Sequence, residues 1–357
     1  MSESAKFRNL RKGRGAASNP DGRFESLRRE REDDGWGSVS EETVLATVVG
    51  VDRARRVITY NDSPDIPFDR SINPYRGCEH GCIYCFARPS HGYLGLSAGQ
   101  DFESRLFYKP DAPERLREEL AHPRYRCQPI ALGINTDGWQ PAERRLALTR
   151  RLLEVLAACR HPVSIVTKSA LIERDLDLLT DLARDDLVHV FVSLTTLDRE
   201  LARCMEPRAA QPERRLAVIE TLARAGVPVG VMVAPVIPVL TDPELESILQ
   251  RARAAGAQEA GYAVLRLPHE VKNLFREWLA SHRPLAAQHV MSRVRELNGG
   301  KDYEAAFGVR LVGSGPYARF LRDRFRLAYR RLGFPGLPVL ATDRFRPPAT
   351  SGQMSLF

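Results

Sequence analysis

From residue 68 onward, short apolar runs alternate with longer stretches in which apolar side chains recur at helical spacing. The short runs are typical of strands buried on both faces, because such strands show no regular polar alternation. The longer stretches place apolar residues three or four positions apart, which predicts helices that bury one face. The predicted strands lie near Ser71 and at residues 130–134, 163–166, 188–194, 229–233 and 260–265, and the predicted helices at residues 144–159, 171–182, 213–225 and 243–255.

This alternation predicts an α/β fold with a parallel sheet, because parallel neighbours are joined by right-handed crossovers that carry a helix. About six such units predict an open, partial (β/α)6 TIM-like barrel with functional residues at the carboxyl ends of the strands. The predicted divisions are a mobile N-terminal extension at residues 1–43, a short strand pair packing on the core at residues 44–66, the core barrel at residues 67–285, a basic helical region at residues 286–352 and a terminal tail at residues 353–357.

Three cysteines, Cys78, Cys82 and Cys85, fall within eight residues in a C-x3-C-x2-C spacing. Cysteine thiolate is the usual protein ligand of iron–sulfur clusters. Three thiolates this close together can bind three irons of a four-iron cluster, which leaves the fourth iron open to a small molecule. An open iron suits S-adenosylmethionine (SAM), which can bind it through its amino and carboxylate groups and be cleaved after receiving one electron.

Two other uses of these cysteines remain open. A closed zinc site needs four ligands, and His80 or His91 could supply the fourth. A disulfide framework is disfavoured, because the chain is long and its other cysteines, at positions 127, 159 and 204, are isolated.

Polar residues follow the ends of the predicted strands, where parallel α/β folds place their chemistry. Together with the cysteines they resemble the spore photoproduct lyase-like (DNA repair photolyase-like) branch of the radical SAM superfamily, over roughly residues 67 to 270. The resemblance rests on Asn-Pro-Tyr-Arg-Gly-Cys at residues 73–78, Ala87-Arg88, Thr136-Asp137 with Gln140, Pro141 and Glu143, Thr167-Lys168-Ser169, and Glu206-Pro207-Arg208.

The resemblance implies a [4Fe-4S] cluster held by the three cysteines, with SAM on its open iron. It implies that Thr136 and Asp137 bind the SAM amino group, and an acidic acceptor suits an ammonium. Lys168 would neutralise the SAM carboxylate and Ser193 would bind its ribose. The backbone near Tyr84 and Phe86 would flank the adenine. From the residues alone, Asp137 could equally belong to a turn before Gly138, and Ser193 could cap a helix.

Two positions depart from the lyase pattern. Phe86 follows the third cluster cysteine, where the lyase has a redox-active tyrosine. Cys127 precedes the second strand, in a placement similar to the lyase's hydrogen-donor cysteine, although a free cysteine usually packs as a small hydrophobe. These departures leave the superfamily resemblance intact and put the lyase reaction itself in question.

The C-terminal fifty residues are strongly basic. Residues 308–357 hold nine arginines and two aspartates, so they contribute +7 to the net charge of +8 of this 357-residue chain. Arginines interleaved with aromatic residues at 317–331 fit a nucleic-acid backbone, and they fit equally well the solvated face of an amphipathic helix. Gln353, Leu356 and Phe357 resemble the Q-x-x-L-F peptide that docks bacterial DNA-maintenance proteins on the sliding clamp.

The sequence contains no run of about twenty apolar residues, so it predicts no membrane span. The first residues lack the apolar core of a signal peptide. A cytoplasmic location, where thiols stay reduced, is therefore expected. The sequence predicts a radical SAM enzyme that takes hydrogen from a nucleic acid or damaged base and needs an external flavodoxin- or ferredoxin-like electron donor. The alternatives are a radical SAM modifier of protein or tRNA, and a non-enzymatic, metal-stabilised DNA-binding adaptor that docks on the clamp.

Overall fold

A seven-stranded sheet forms the centre of the computed structural model, which describes residues 13–24 and 45–348. Six of its strands are parallel, in the order β10-β9-β8-β7-β6-β3, and β2 adds an antiparallel edge beside β3. In chain order the strands are β1 (Val48–Val51), β2 (Ile58–Tyr60), β3 (Arg70–Ile72), β4 (Tyr75–Arg76), β5 (Arg105–Tyr108), β6 (Ile130–Leu132), β7 (Val163–Thr167), β8 (Val188–Ser193), β9 (Val229–Val236) and β10 (Glu259–Val264).

The six parallel strands confirm the predicted β/α units. Their registers pair β-branched residues across the sheet, as in Val163 with Val188 and Val190 with Val229. Such side chains pack well on a pleated surface. Strand β10 ends the sheet on one side and β2 on the other, so within the described residues the sheet is open rather than a closed barrel.

Helices follow most of the parallel strands and cover the sheet with their apolar faces. They are α1 (Asp101–Ser104), α2 (Ala112–Ala121), α3 (Glu143–Leu146), α4 (Leu148–Ala158), α5 (Leu176–Ala183), α6 (Arg199–Met205), α7 (Pro212–Arg224), α8 (Leu245–Ala254), α9 (Val271–His282), α10 (Pro284–Leu297) and α11 (Gly315–Leu332). The helix predicted at residues 144–159 is interrupted at Ala147, whose φ of 48° is left-handed. The helices predicted from residues 171 and 243 each begin with a 3-10 segment, Ala170–Asp175 and Asp242–Glu244.

The two strands predicted in residues 44–66 do not pair with each other. Strand β1 pairs with β5 in a separate three-stranded sheet that also contains β4, whereas β2 joins the edge of the main sheet. The partner of β1 is distant in sequence, since Val48 pairs with Arg105, and a local pattern cannot indicate such a partner.

Residues 13–24 differ from the expected mobile extension, because they pack on the core. Ala16 is buried among the residues that surround Cys82. The polar composition of this segment gives no sign of the contact, because several of its bonds use backbone groups, such as the amides of Gly15 and Ala16. Residues 1–12, 25–44 and 349–357, which include the clamp-like tail at 353–357, lie outside the described residues.

The basic C-terminal region forms helices α10 and α11, and α11 lies against α8 and α10. Ala318, Leu321 and Ala328 on α11 are buried. Of the helices in the described parts of the chain, none combines the length and apolar character that crossing a membrane requires.

Candidate active site

The loop that carries the three cysteines follows β3 and β4, at the carboxyl end of the first parallel strand. Gly77 and Gly81 bracket Cys78 with φ values of 77° and 67°, which favour glycine. A Cβ on Gly77 would also lie 2.7 Å from a Leu106 methyl carbon and 2.8 Å from the Phe102 carbonyl oxygen. The Cys78 amide donates to that same carbonyl at 2.9 Å, which fixes the start of the loop.

The three thiols lie close enough to interact electrostatically. Cys78 and Cys82 are buried and Cys85 is half-buried. Burial is the main cause that raises the pKa of Cys78, and charge on Asp137, Cys82 and Cys85 raises it further. Burial likewise raises the pKa of Cys82. Bound iron would offset this cost, because a coordinating thiol is deprotonated. A buried set of three cysteines on a fixed loop therefore fits the donor set of an iron–sulfur cluster.

The two histidines considered as zinc ligands have other partners. His80 Nδ1 lies 3.4 Å from the Asp137 carboxylate, and burial lowers the pKa of His80 to about 4. His91 Nε2 is 2.9 Å from the Arg105 carbonyl oxygen. Across residues 13–24 and 45–348, no three His, Cys, Asp or Glu side chains surround one point as ligands of a single metal ion.

Asp137 joins the ends of two neighbouring strands. Its carboxylate accepts hydrogen bonds from the Trp139 amide at 2.9 Å, the Thr167 hydroxyl at 2.8 Å and the Lys168 amide at 2.7 Å. The bond from Trp139 forms the turn that the sequence offered as an alternative role for Asp137. The bonds from Thr167 and Lys168 connect the segment after β6 to the end of β7. The Thr136 hydroxyl donates to the Tyr75 carbonyl at 3.0 Å. Thr136 and Asp137 therefore have structural bonds, and their contact with SAM stays a prediction.

Lys168 brings a positive charge to the cysteine loop. Its amine lies 5.9 Å from the centre of the Tyr84 ring, and its charge acts to lower the pKa of Cys82. No carboxylate pairs with this amine among the side chains that the structure describes. Ser193, the last residue of β8, is buried, and its carbonyl accepts a bond from Arg215 at 3.1 Å.

A buried carboxylate, Glu206, holds Tyr84 in place, and this function was not predicted from the sequence. Glu206 accepts bonds from the Tyr84 hydroxyl, from Thr195 at 2.9 Å and from the Arg215 guanidinium. Burial raises the pKa of Glu206, and the charge of Arg215 opposes the shift. Because Tyr84 lies between Cys82 and Cys85, this cluster ties the cysteine loop to the end of β8.

Two other arginines, Arg208 and Arg214, are held by ion pairs of their own. Arg214 forms an ion pair with Glu173, so its buried neighbour Arg215 is the one that reaches the site. Arg208 pairs with the buried Glu79 at 2.8 Å. Neither Arg208 nor Arg214 is available as a free substrate contact in this arrangement.

Phe86 and Cys127, the two positions that depart from the lyase pattern, lie in different parts of the structure. Phe86 is 37% exposed, and the Arg266 guanidinium carbon lies 4.7 Å from its ring centre. Cys127 lies three residues before β6, so it is at the amino end of the strand whose carboxyl end leads to Asp137. Burial raises the pKa of Cys127 to about 11, and Arg70, which begins β3, opposes this. The structure thus does not bring Cys127 to the cysteine loop.

Comparisons with known proteins agree with this geometry. The family model of the radical SAM superfamily matches residues 72–252. An uncharacterized protein of Mycobacterium tuberculosis is 42% identical over 234 residues, which cover 65% of this chain and 68% of that protein. An uncharacterized protein of Methanocaldococcus jannaschii is 28% identical over 173 residues, or 48% of this chain and 62% of that protein.

Solved structures of spore photoproduct lyase show a similar fold. A cysteine-to-alanine variant matches with a TM-score of 0.60 at 17% identity, over 83% of this chain and 85% of the lyase. The lyase complexed with a dinucleoside spore photoproduct matches with a TM-score of 0.59 at 17% identity, over the same shares. At this identity the likeness concerns the fold.

Proposed function

Because this chain belongs to the radical SAM superfamily, and so is an enzyme with a [4Fe-4S] cluster and SAM as cofactors, we propose that its substrate is a nucleic acid or a damaged base. When bound, the two cofactors supply a carbon-centred radical that takes a hydrogen atom from an otherwise unreactive position. The protein binds and orients the reactants and keeps water away from them.

Cys78, Cys82 and Cys85 hold the cluster in this proposal. Lys168, whose amine pairs with no carboxylate among the described residues, binds the carboxylate of SAM, and the Ser193 hydroxyl forms a hydrogen bond with its ribose. The backbone at Tyr84 and Phe86 flanks the adenine. The Asp137 carboxylate accepts its structural bonds from Trp139, Thr167 and Lys168 and also accepts from the SAM ammonium in this proposal, because an ammonium needs an acidic acceptor.

The observation that carries the nucleic-acid proposal is an exposed row of arginines on α11. Arg319, Arg322, Arg326 and Arg330 follow one another at intervals of three or four residues, and all four are exposed. Among them only Arg326 has a carboxylate neighbour in the described chain, the exposed Asp323 at 3.4 Å. At 1.5 Å per residue the row is about 16 Å long. We call these four residues the α11 arginine row.

The α11 arginine row begins at the side of the sheet formed by the carboxyl ends of the strands, which also carries the cysteine loop. The Tyr317 hydroxyl donates to Asp242, which follows β9, at 2.7 Å. Beyond the helix, the Gly336 amide donates to the carbonyl of Gln258, which precedes β10. The helix therefore runs from the carboxyl ends of the strands to their amino ends. A phosphate backbone bound along it would extend toward the loop that holds the cluster.

Binding measurements at several salt concentrations test this proposal. Each phosphate contact contributes about 0.9 to the slope of log affinity against log salt for duplex DNA. Arg319→Gln with Arg322→Gln should therefore flatten the slope by nearly two. The matched control is Arg115→Gln with Arg117→Gln on α2, whose arginines pair with Glu118 and Glu114. Equal slopes for both variants and the parent would refute nucleic-acid binding by α11.

Anaerobic reconstitution identifies the substrate class. With dithionite as the reductant, nucleic acid should change the yield of 5′-deoxyadenosine from SAM. If only a protein additive changes the yield, the enzyme is a protein modifier, and if only tRNA does so, it is a tRNA modifier. We leave the lyase reaction unassigned, because Phe86 replaces the expected tyrosine and Cys127 lies at the far end of β6.

Three further parts of the proposal concern the surroundings of the enzyme. A flavodoxin- or ferredoxin-like protein supplies the electron. The cytoplasm is the expected location, because cluster cysteines must stay reduced. The tail at residues 353–357 docks on the sliding clamp, which would bring the enzyme to DNA.

A further inference from the structure

The cysteine loop is bonded to a segment far away in sequence, residues 13–24, which we call the N-terminal strap. The amides of Gly15 and Ala16 donate to the two carboxylate oxygens of Glu103, each at 2.9 Å. The Arg14 guanidinium donates to the backbone carbonyl of Glu103 at 2.6 Å and to that of Leu45 at 2.6 Å. Glu103 is completely buried, so it needs these donors in place of water.

Glu103 connects the strap to the loop through Arg88. The Arg88 side chain is also completely buried and pairs with the Glu103 carboxylate. Its guanidinium also donates to the carbonyls of Cys82 at 2.9 Å, Gly81 at 3.0 Å, Gly99 at 2.9 Å and Ala98 at 3.1 Å. All five guanidinium donors are thereby used, and two of them fix the backbone between the first and second cluster cysteines.

The strap also touches the loop directly. A Cβ on Gly15 would lie 1.9 Å from the carbonyl oxygen of Gly81, a distance at which no side chain fits. Ala16 is 2% exposed and packs in the apolar cluster that contains Cys82, Ile83 and Tyr84. The loop around Cys82 is therefore held from one side by Arg88 and from another by the strap.

Further bonds hold the strap itself. The Gln100 side chain donates to the Ala17 carbonyl at 3.0 Å, and the Asp101 amide donates to the Asn19 side chain at 3.0 Å. The Ser18 hydroxyl donates to Glu277 on α9, and Arg23 pairs with Glu270 at 2.7 Å. The strap thus spans from α1, the helix before β5, to α9, across the cysteine loop.

We propose that the N-terminal strap positions the cluster loop and determines how firmly the protein retains its cluster. Arg14, Gly15 and Ala16 act as positioning residues through Glu103 and Arg88. The physical reason is that a loop with fixed carbonyls holds its three thiols at the spacing a cluster requires, whereas a loose loop releases iron more readily.

Two variants with a matched control test this inference. Gly15→Val forces the strap away from Gly81, and Arg14→Ala removes the bonds to Glu103 and Leu45. Arg55→Ala is the control, because the Arg55 side chain is exposed and has no ion pair among the described residues. In the reconstituted protein, iron transfer to a ferrous chelator should be faster by about tenfold or more in both variants and unchanged in the control, because each variant loses at least one charge-assisted hydrogen bond.

Hydrogen exchange of the metal-free protein gives a second measurement. The amides of residues 78–88 should exchange faster in the variants, while those of β7 to β9 keep their protection, which a general loss of stability would not produce. If Gly15→Val does not fold, Arg14→Ala decides the question. Folded variants that release iron at the parent rate and keep the loop amides protected would overturn the inference, whatever the enzyme does to nucleic acids.

Discussion

The buried pair of Glu206 and Arg215 allows a quantitative prediction about how the site is held. Both side chains are almost completely inaccessible, and Arg215 is the only cation in contact with Glu206 among the described residues. Arg215→Met keeps much of the side-chain volume and removes the charge. The carboxylate then keeps its bonds from Tyr84 and Thr195 but is left buried without a positive charge beside it, which costs about 3–5 kcal/mol of the free energy of unfolding.

The neighbouring Arg214→Met is the matched control. Its partner Glu173 is partly accessible, and Arg214 itself is about half exposed. Exposed ion pairs contribute about 0–1 kcal/mol, so this variant should unfold near the denaturant concentration of the parent. Urea unfolding at pH 8, monitored by circular dichroism, measures both variants. Equal destabilisation by the two substitutions would refute the assignment of Arg215 as the buried partner.

The pH dependence provides an independent check of the same reasoning. Burial raises the pKa of Glu206 above its ordinary value of 4.5. The folded protein therefore binds a proton more readily than the unfolded chain, and stability falls as pH rises through the folded-state pKa. Without Arg215 that pKa rises further. The difference in unfolding free energy between Arg215→Met and the parent should be smaller at pH 5 than at pH 8. A double variant with Glu206→Gln should recover part of the lost stability, and a pH-independent loss would contradict the account.

Three further predictions concern the cofactors and the tail. Cys82→Ala should abolish the brown colour and SAM cleavage, whereas Cys159→Ala should leave both intact, and iron analysis checks this. Asp137→Asn should weaken SAM binding at least tenfold, because a charge-assisted bond worth about 1.5–3 kcal/mol is lost, and the cluster spectrum should not change. An unchanged dissociation constant for SAM would leave Asp137 a purely structural role. Deletion of residues 353–357 should abolish pull-down of the sliding clamp and leave the salt dependence of nucleic-acid binding untouched, and clamp binding that survives would make the tail match accidental.

The strand–helix alternation was predictable because buried parallel strands leave continuous apolar runs in the sequence. The cysteine spacing was equally local, since all three ligands belong to one loop. The strap could not be found in this way. Gly15 and Ala16 bond through their amides to Glu103, nearly ninety residues later, and no side-chain pattern marks a backbone donor.

Cys127 shows how strand direction limits an inference from sequence proximity. A cysteine close to a functional strand is a candidate only if it follows the strand, because parallel strands bring their carboxyl ends together. Cys127 precedes β6 by three residues, whereas Asp137 follows it. The direction of the chain alone therefore predicts that Cys127 and Asp137 lie at opposite ends of the parallel strands.

Helical phase could have identified the buried arginine. Arg215 precedes Val218, Ile219 and Leu222 by three, four and seven residues, and all three are buried. This spacing places the guanidinium on the apolar face of α7, where a charge is tolerated only beside a partner. Arg214 is one position out of phase and therefore faces an exposed ion pair. On α11 the same reasoning applies to Arg324, which lies three residues after Leu321 and four before Ala328 and pairs with Glu246. An arginine placed between buried residues in this way indicates a structural ion pair, whereas the exposed α11 arginine row indicates a surface open to an anionic partner.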